Sequence, residues 1–319
     1  MAIKSMLRYP GAKGKAMPFL LSKMPDDIKD WREPFFGGGS VTIGFLQSPK
    51  SKNCERFVVG DLYPEVYSFW QGVKTAPEAV IEQVYAYMKQ FMPHQAEGGE
   101  IYTATKNKED PLVAQAIEEG KNFWTWGKSI DKSTVSLVER AARFFIVNRT
   151  SFSGMGDAGS MTNDQLFDFK PSDVEKALEM SKLLAPVEIL NASFEVTMAG
   201  VDDKPGGYVF LDPPYYQQSS QGTGSGMYGG TGKESTHNNF PHEVLRDLLL
   251  TTKSRWMMTY DDSIAVRKWY SAEGIDLEPF HITYTMAGKC AVDALAGEEL
   301  LVSNYLKSAE ADDEEAVDW

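Results

Sequence analysis

The sequence predicts an α/β fold built on a doubly wound, Rossmann-like sheet, and three observations predict it. Short β-branched or aromatic runs recur at Phe57-Val58-Val59, Val187-Glu188-Ile189-Leu190, Tyr208-Val209-Phe210-Leu211, Arg255-Trp256-Met257-Met258 and Glu299-Leu300-Leu301-Val302. Near-continuous apolar runs of this length suit strands that are buried on both faces. Helical patterns separate these runs, an alternation that lays helices over a sheet. The chain also has the size and composition for a large packed core, with 319 residues, 42% hydrophobic and 24% charged.

Taken in order, residues 34–40 (Pro34-Phe35-Phe36-Gly37-Gly38-Gly39-Ser40) read as a tight glycine turn ahead of the apolar stretch 41–46, and Asp61 follows the strand-like run 57–60. From about 65 to 185 the pattern is helical with few strand-like runs, interrupted by a Gly/Glu/Lys-rich patch at 97–109. This stretch predicts an inserted, mainly helical domain over 65–184, between catalytic-domain segments 1–64 and 185–308. Within it, residues 135–147 place Leu137, Val138, Ala141, Phe144 and Phe145 on apolar flanks and turn Glu139, Arg140 and Arg143 elsewhere. Ser172-Asp173-Val174-Glu175 has capping-box spacing and predicts a helix burying Val174, Ala177, Leu178, Leu183 and Leu184. Pro241 opens another helix, with Val244, Leu245, Leu248 and Leu249 as its apolar residues. Residues 217–239, rich in Gly, Ser, Thr, Gln and Asn, predict a long functional loop whose Tyr228 and His237 close over substrate.

A net charge of −13 disfavours a nucleic-acid partner on its face. Its distribution matters more. Residues 309–319 hold six acids and no base and read as a solvated acidic tail. Residues 1–32 carry seven bases against three acids, and residues 121–150 six against two, which leaves room for a local surface that attracts a polyanion. Cys54 and Cys290 show no C-x-x-C spacing and read as structural thiols. Of the four histidines (His94, His237, His242, His281), the closest pair is five residues apart, poor geometry for one ion, so no metal site is expected. No apolar run reaches the ~20 residues of a membrane span, and the start, Met1-Ala2-Ile3-Lys4, lacks a signal peptide's apolar stretch. A soluble, cytoplasmic protein is expected.

The strongest chemical signal is Asp212-Pro213-Pro214-Tyr215, directly after an apolar strand, where open α/β sheets bind ligands. The chemistry that needs this arrangement is alkylation of an aromatic amine, whose lone pair is delocalised into its ring. The Asp212 carboxylate and the Pro213 carbonyl can each accept an N–H of that amine and aim the lone pair at an electrophile. Two prolines stiffen the segment and offer no competing N–H. Tyr215 adds a face on which a base rotated out of a duplex can stack. The glycine turn with Asp61, 22 residues after Gly39, suits an adenosine-type cofactor held by its ribose, which a nicotinamide-dependent oxidoreductase would share. That alternative leaves Asp-Pro-Pro-Tyr unexplained. Tyr9-Pro10-Gly11-Ala12-Lys13 adds a second glycine turn that brings backbone and a lysine to a ligand.

In this order, Tyr9 to Lys13, residues 34–40, Asp61, Asn148-Arg149-Thr150-Ser151-Phe152-Ser153-Gly154 and Asp212 to Tyr215 resemble the Dam-like family of adenine-specific DNA methyltransferases. The likeness spans roughly residues 5 to 306 and includes Thr259-Tyr260-Asp261-Asp262, Tyr284-Thr285-Met286 and the strand 298–305. It implies methyl transfer from S-adenosylmethionine to the N6 amine of adenine in double-stranded DNA, with no metal. Asp212, Pro213 and Tyr215 would be catalytic. Tyr9 and Lys13 would line the cofactor, Asp61 would take its ribose, and Phe36, Gly37 and Gly39 would form its floor, with Phe194 near its adenine and Asp212 at its reactive end. Asn148, Arg149 and Phe152 would begin a DNA-contacting hairpin.

The departures concern DNA reading more than chemistry. Ala12 stands where a second glycine is usual, Ser153 where asparagine is commoner, and residues 155–168 hold Asp157, Asp164 and Asp168 without a Lys or Arg. The resemblance therefore carries the reaction and not a target sequence. Cytosine-N4 methylation uses the same amine geometry, and a catalytically silent DNA-binding protein of the same fold is the other alternative.

Overall fold

The computed structural model describes residues 2–96, 110–203, 205–216, 240–283 and 296–306. The patch at 97–109, the loop 217–239 with Tyr228 and His237, Tyr284-Thr285-Met286, Cys290 and the acidic tail lie outside these residues.

Seven strands form one sheet: β1 Asp30–Glu33, β2 Arg56–Gly60, β3 Val187–Leu190, β4 Gly207–Leu211, β5 Arg255–Asp261, β6 Asp276–Thr283 and β7 Ala296–Ser303. Their order is β3-β2-β1-β4-β5-β7-β6. The first five run parallel, and β7 lies antiparallel between β5 and β6. All five expected runs are strands. The strand order turns back between β1 and β4, which opens a crevice at their carboxyl ends, the usual ligand position of a doubly wound sheet.

Strands β1 and β6 add to the expectation. The central strand β1 reads Asp-Trp-Arg-Glu, and Trp31 to Glu33 are buried because partners within the strand and beyond it satisfy their polar groups. The Arg32 guanidinium donates to both Asp30 oxygens, at 2.5 and 2.8 Å, and to the carbonyls of Thr197 and Ala199. Glu33 accepts from the Thr42 amide at 2.9 Å and from its hydroxyl, which in turn accepts from Trp31 Nε1 at 2.8 Å. Hydropathy along the chain cannot show such pairing.

Successive residues of β4 serve two cores. Tyr208 and Phe210 join Trp31, Phe45 and Phe69 on one face, and Val209 and Leu211 join Leu245, Trp256 and Val266 on the other. The first face carries α1 Met17–Lys23, α2 Ser40–Leu46 and α3 Pro64–Thr75. Between α3 and β3 come α4 Pro77–Phe91, α5 Pro111–Ser129, α6 Leu137–Thr150, α7 Asn163–Asp168 and α8 Ala177–Leu184. Helix α6 packs on α3 and α4, and one apolar cluster runs unbroken from Val59 and Val187 through Phe69 to Phe144, Phe145 and Phe169. The other face carries α9 Phe194–Met198, α10 His242–Thr251 and α11 Ile264–Tyr270.

Several local expectations need correction. Ser172 to Glu175 do not form a capping box but lie in a 3-10 turn, Pro171–Lys176, and α8 starts at Ala177 without a side-chain cap. That start puts Ala177, Met180 and Leu184 inward and leaves Leu178 exposed. A capping box does close the start of α6, where Ser136 and Glu139 bond reciprocally. In α10, Leu245 and Leu249 face the core and Val244 is exposed.

The largest correction concerns Arg143, which is buried rather than turned away from the apolar flanks. It donates to Asp157 Oδ1 at 2.8 Å and Oδ2 at 3.0 Å, to the Gly127 carbonyl and to Glu65. Glu65 also takes Arg140 at 2.6 Å, and Asp157 takes Lys132 at 2.7 Å and the Tyr63 hydroxyl at 3.1 Å. Burial alone would raise the Asp157 pKa, but Arg143 and then Lys132 hold it down to about 2. Much of the basic surplus of 121–150 is thus neutralised within the fold, since Arg149 also pairs with Asp173. Asp157, counted among the acids that would repel DNA, is tied inward.

Replacing Arg143 by Met should leave Glu65 and Asp157 facing each other without their shared cation. Urea unfolding should then show a loss of about 3–5 kcal/mol, the usual cost of breaking a buried ion pair from one side. Glu33 gives a pH-dependent counterpart. Burial pushes its pKa from an ordinary 4.5 to about 8, so the protonated acid suits the fold and ionisation costs stability as pH rises across that window. Glu33→Gln should melt near wild type at pH 4 and above it at pH 8, the advantage growing by up to ~1 kcal/mol per pH unit in between.

Candidate active site

The crevice at the carboxyl ends of β1 and β4 collects most of the residues singled out from the sequence. After β1 the chain turns through Phe36 to Gly39, with Gly37 at φ 45° and Gly39 at φ 69°, in the left-handed region. The ring of Tyr9 lies against this turn. A Cβ on Gly37 would stand 2.6 Å from Tyr9 Cε1, and one on Gly38 would stand 2.7 Å from Tyr9 Cβ. The N-terminal segment can therefore dock only on glycines. Phe36 packs beneath Gly39 and against Trp70, whose indole donates to the Gly37 carbonyl at 2.9 Å.

Asp61, one residue past β2, braces the turn. Its Oδ2 accepts from the Gly37 amide and its Oδ1 from the Tyr63 amide, both at 2.8 Å. Burial pushes its pKa up to about 6 despite these two bonds. Each oxygen keeps acceptor capacity for a further donor such as a hydroxyl. Phe194, at the start of α9, packs at a tilt against Phe35 and Phe240, at centroid distances of 5.9 and 5.8 Å.

Asp212 follows β4, and the N-terminal turn, β5 and its own segment supply its partners. Thr259 of β5 donates its hydroxyl to Oδ1 at 2.8 Å. Lys13, with 1% of its side chain exposed, donates to Oδ2 at 2.9 Å, to the Tyr215 hydroxyl at 2.9 Å and to the Gly11 carbonyl at 2.8 Å. The structure thus turns Lys13 onto the carboxylate of Asp212. Tyr215 donates its hydroxyl to Glu299 of β7 at 2.7 Å, and its ring stacks on Tyr260 at 5.9 Å. Burial, then the negative charges of Asp212 and Glu299, push the Tyr215 pKa well up, so it stays a neutral phenol. One residue on, the Tyr216 amide donates to Asp261 at 3.0 Å and its ring packs edge-on to Trp269, which anchors the exit of the segment.

The residues assigned to DNA are placed differently from one another. Asn148 is fully buried and both ends of its amide are engaged: Oδ1 accepts from the Arg8 amide, and Nδ2 donates to the carbonyls of Arg8 and Gly154. It latches the N-terminal segment to the end of α6, and a direct contact to DNA is not open to it. Arg149 is largely covered and pairs with Asp173 at 2.8 Å. Phe152 is 51% exposed. It opens a loop closed by a single antiparallel bridge between Ser151 and Met161, rather than by a hairpin of paired strands. Ser153 there has φ 52°, which accounts for the preference for asparagine at a left-handed position.

Three residues escaped the sequence reading as site members: Thr259, Glu299 and Arg8. Thr259 and Glu299 lie inside segments that carry the family likeness, but neither has a spacing to the crevice that can be read along the chain. Arg8, next to Tyr9, has its pKa lowered by burial and then by the charge of Arg149, so the two guanidinium groups lie near each other. Among the described residues no group of three or more His, Cys, Asp or Glu side chains is arranged to hold a metal, and no helix is long and apolar enough to cross a membrane. Cys54 donates its thiol to the Lys29 and Arg56 carbonyls, and burial pushes its pKa up to about 11, as suits a structural thiol.

A family model for the D12 class of N6 adenine-specific DNA methyltransferases matches residues 9–282. The chain is 26% identical over 316 residues to the type II methyltransferase M1.LlaDCHI of Lactococcus lactis subsp. cremoris, covering 95% of this chain and 96% of that protein. It is 25% identical over 230 residues to the type II methyltransferase M.MjaIII of Methanocaldococcus jannaschii, covering 67% of this chain and 70% of that protein. Neither comparison favours a cytosine-N4 methyltransferase, a silent DNA-binding protein or an oxidoreductase. A match that runs from the Tyr9 turn past the Asp212 segment settles the assignment, and the chain belongs to the D12 class of N6 adenine-specific DNA methyltransferases.

Proposed function

We propose that the chain moves a methyl group from S-adenosylmethionine to the N6 amine of adenine in double-stranded DNA at the crevice between β1 and β4. The observation that carries this reading is Asp212, a carboxylate at the end of β4 with Thr259 and Tyr215 fixing its surroundings. The chain's residues suit the cofactor in their donor chemistry. Asp61 is a buried acceptor with two amide donors and capacity for ribose hydroxyls, set against a turn of small residues. When bound, the cofactor supplies a methyl carbon made electrophilic by a sulfonium.

The protein's own work is positioning. Asp212 and the Pro213 carbonyl accept the two N6 protons, which turns the nitrogen lone pair out of the base plane. Asp212 then stabilises the positive charge that grows on N6. Tyr215, neutral and braced by Tyr260, offers the base a stacking surface. Tyr9 and Lys13 close the crevice from the N-terminal side, and Phe36, Gly37 and Gly39 shape its wall.

For DNA, we assign contact to the helical region 65–184 together with the N-terminal segment. Phe152 is exposed in the loop whose Gly154 packs on the Arg8 backbone, an apolar wedge near a cation, Arg8, that phosphates can use, whereas Arg149 is already paired with Asp173. Asn148 contributes by fixing Arg8. The cytoplasm, where such a substrate is met, is the proposed location.

Nucleoside mass spectrometry of DNA from cells expressing the chain should show N6-methyladenine, and Asp212→Ala should abolish it; methylation retained by the variant would remove Asp212 from the mechanism. Phe152→Ala should lower kcat/KM on a duplex about tenfold while leaving cofactor affinity within about twofold, as expected for a residue that stabilises the extruded base. Titration calorimetry and duplex methylation rates check the two halves separately.

A further inference from the structure

Glu299 is a buried acid that the mechanism above leaves without a role. It lies on β7, opposite Asp261 of β5 and Phe280 of β6. Only 1% of the residue is exposed. Its Oε1 accepts from the Tyr215 hydroxyl at 2.7 Å and stands 3.6 Å from Lys13 Nζ. Its Oε2 is buried with no hydrogen-bond partner among the described residues. An unmet carboxylate oxygen in such a place is costly, and packing alone would be served better by an apolar residue.

Lys13 supplies the reason. Its three ammonium protons are directed at Gly11, Asp212 and Tyr215. In that arrangement the Asp212 charge is matched by an adjacent cation, whereas charge growing on a substrate nitrogen needs Asp212 for itself. The ammonium stands 2.9 Å from both Asp212 oxygens, so an incoming N–H that draws on this carboxylate competes with Lys13 for its charge, and the buried ammonium then needs a second anion close by. Glu299 is the other acid within ion-pair distance of Lys13 among the described residues, and it holds an oxygen with no donor.

We infer that Glu299 is a positioning residue: it holds Tyr215 by its hydroxyl and receives the Lys13 ammonium when the substrate amine engages Asp212. The inference rests on the proposed role of Asp212. It also predicts a pH dependence, since only the carboxylate can receive a cation. Burial pushes the Glu299 pKa up to about 7, against the pull of Lys13, with Asp212 adding to the rise. The charged and titratable groups that face it are Lys13, Asp212, Tyr215 and, across the strand pair, Asp261. Turnover should therefore rise with pH through about 7.

The test uses the full chain with a duplex substrate and compares Glu299→Gln, Lys13→Met and the double variant. Gln fills the same volume and still accepts the Tyr215 hydroxyl. The expected result is a fall in kcat of about tenfold or more for Glu299→Gln, with KM for cofactor and DNA within about twofold and the neutral limb of the pH profile gone. In the Lys13→Met background the same change should alter kcat by less than about twofold, because the ammonium to be received is absent. A kcat within about twofold of wild type, a retained limb, or a full additional loss on top of Lys13→Met would overturn the inference. If Glu299→Gln does not fold, as judged by its melting transition, Glu299→Asp carries the test: it should lower kcat and keep the limb, and loss of the limb would overturn the inference. An active Asp212→Ala would sink the underlying mechanism instead, whereas an inactive Asp212→Ala beside a fully active Glu299→Gln would sink this inference alone.

Discussion

Lys13 carries a full positive charge to a position where 1% of its side chain meets solvent, and such burial is tolerable only if every proton finds an acceptor and the charge finds anions. The acceptors come from widely separated parts of the chain: Gly11 two residues back, Asp212 after β4 and Tyr215 within the same segment, with Glu299 of β7 close behind. One ammonium thus fixes the N-terminal turn over the ends of the sheet strands. It also fixes the Asp-Pro-Pro-Tyr segment, because Asp212 and Tyr215 are held from the Lys13 side while Thr259 and Glu299 hold them from the strand side. The crevice depends on this shared charge.

The same N-terminal segment is held at two further points. Tyr9 lies flat on Gly37 and Gly38, which have no side chains to keep it away, and Arg8 is clamped at its amide and carbonyl by Asn148 at the end of α6. A Cβ on Gly154 would come within 2.1 Å of the Arg8 carbonyl, so the loop that carries Phe152 closes onto this segment only through glycine. On the other side, Tyr63 joins its amide to Asp61 and its hydroxyl to Asp157 of the same loop. Asp61, Asp212 and the exposed Phe152 are therefore within a few hydrogen bonds of one another.

Much of this was legible along the chain. The five apolar runs are strands because their apolar residues are buried, on both faces in β4 and on one in the edge strand β3, and that demand is written directly in their composition. Asp-Pro-Pro-Tyr, the triple glycine and Asp61 stand at strand ends, so their places followed once the strands were known. Strand β1 was not legible: in Asp-Trp-Arg-Glu the Arg32 charge is met by Asp30 of the same strand, and the bonds to Thr42, Thr197 and Ala199 that complete its burial come from elsewhere in the chain. Arg143 is the same case in a helix, since amphipathic spacing turns an arginine outward unless distant acids receive it. Asn148 carries the family likeness for a reason that spacing cannot reveal, a backbone clamp 140 residues away.

The sequence by itself determined the fold class, five of the seven strands and the family likeness carried by the segment after β4, because hydrophobic burial and a rigid Asp-Pro-Pro-Tyr segment act through neighbours in the chain. Tertiary structure alone decided which charges are buried and with whom. Lys13 with Asp212 and Glu299, and Arg143 with Glu65 and Asp157, are fixed by three-dimensional proximity in a medium that screens charge poorly, and there a single distant partner decides whether a charged side chain can be buried at all.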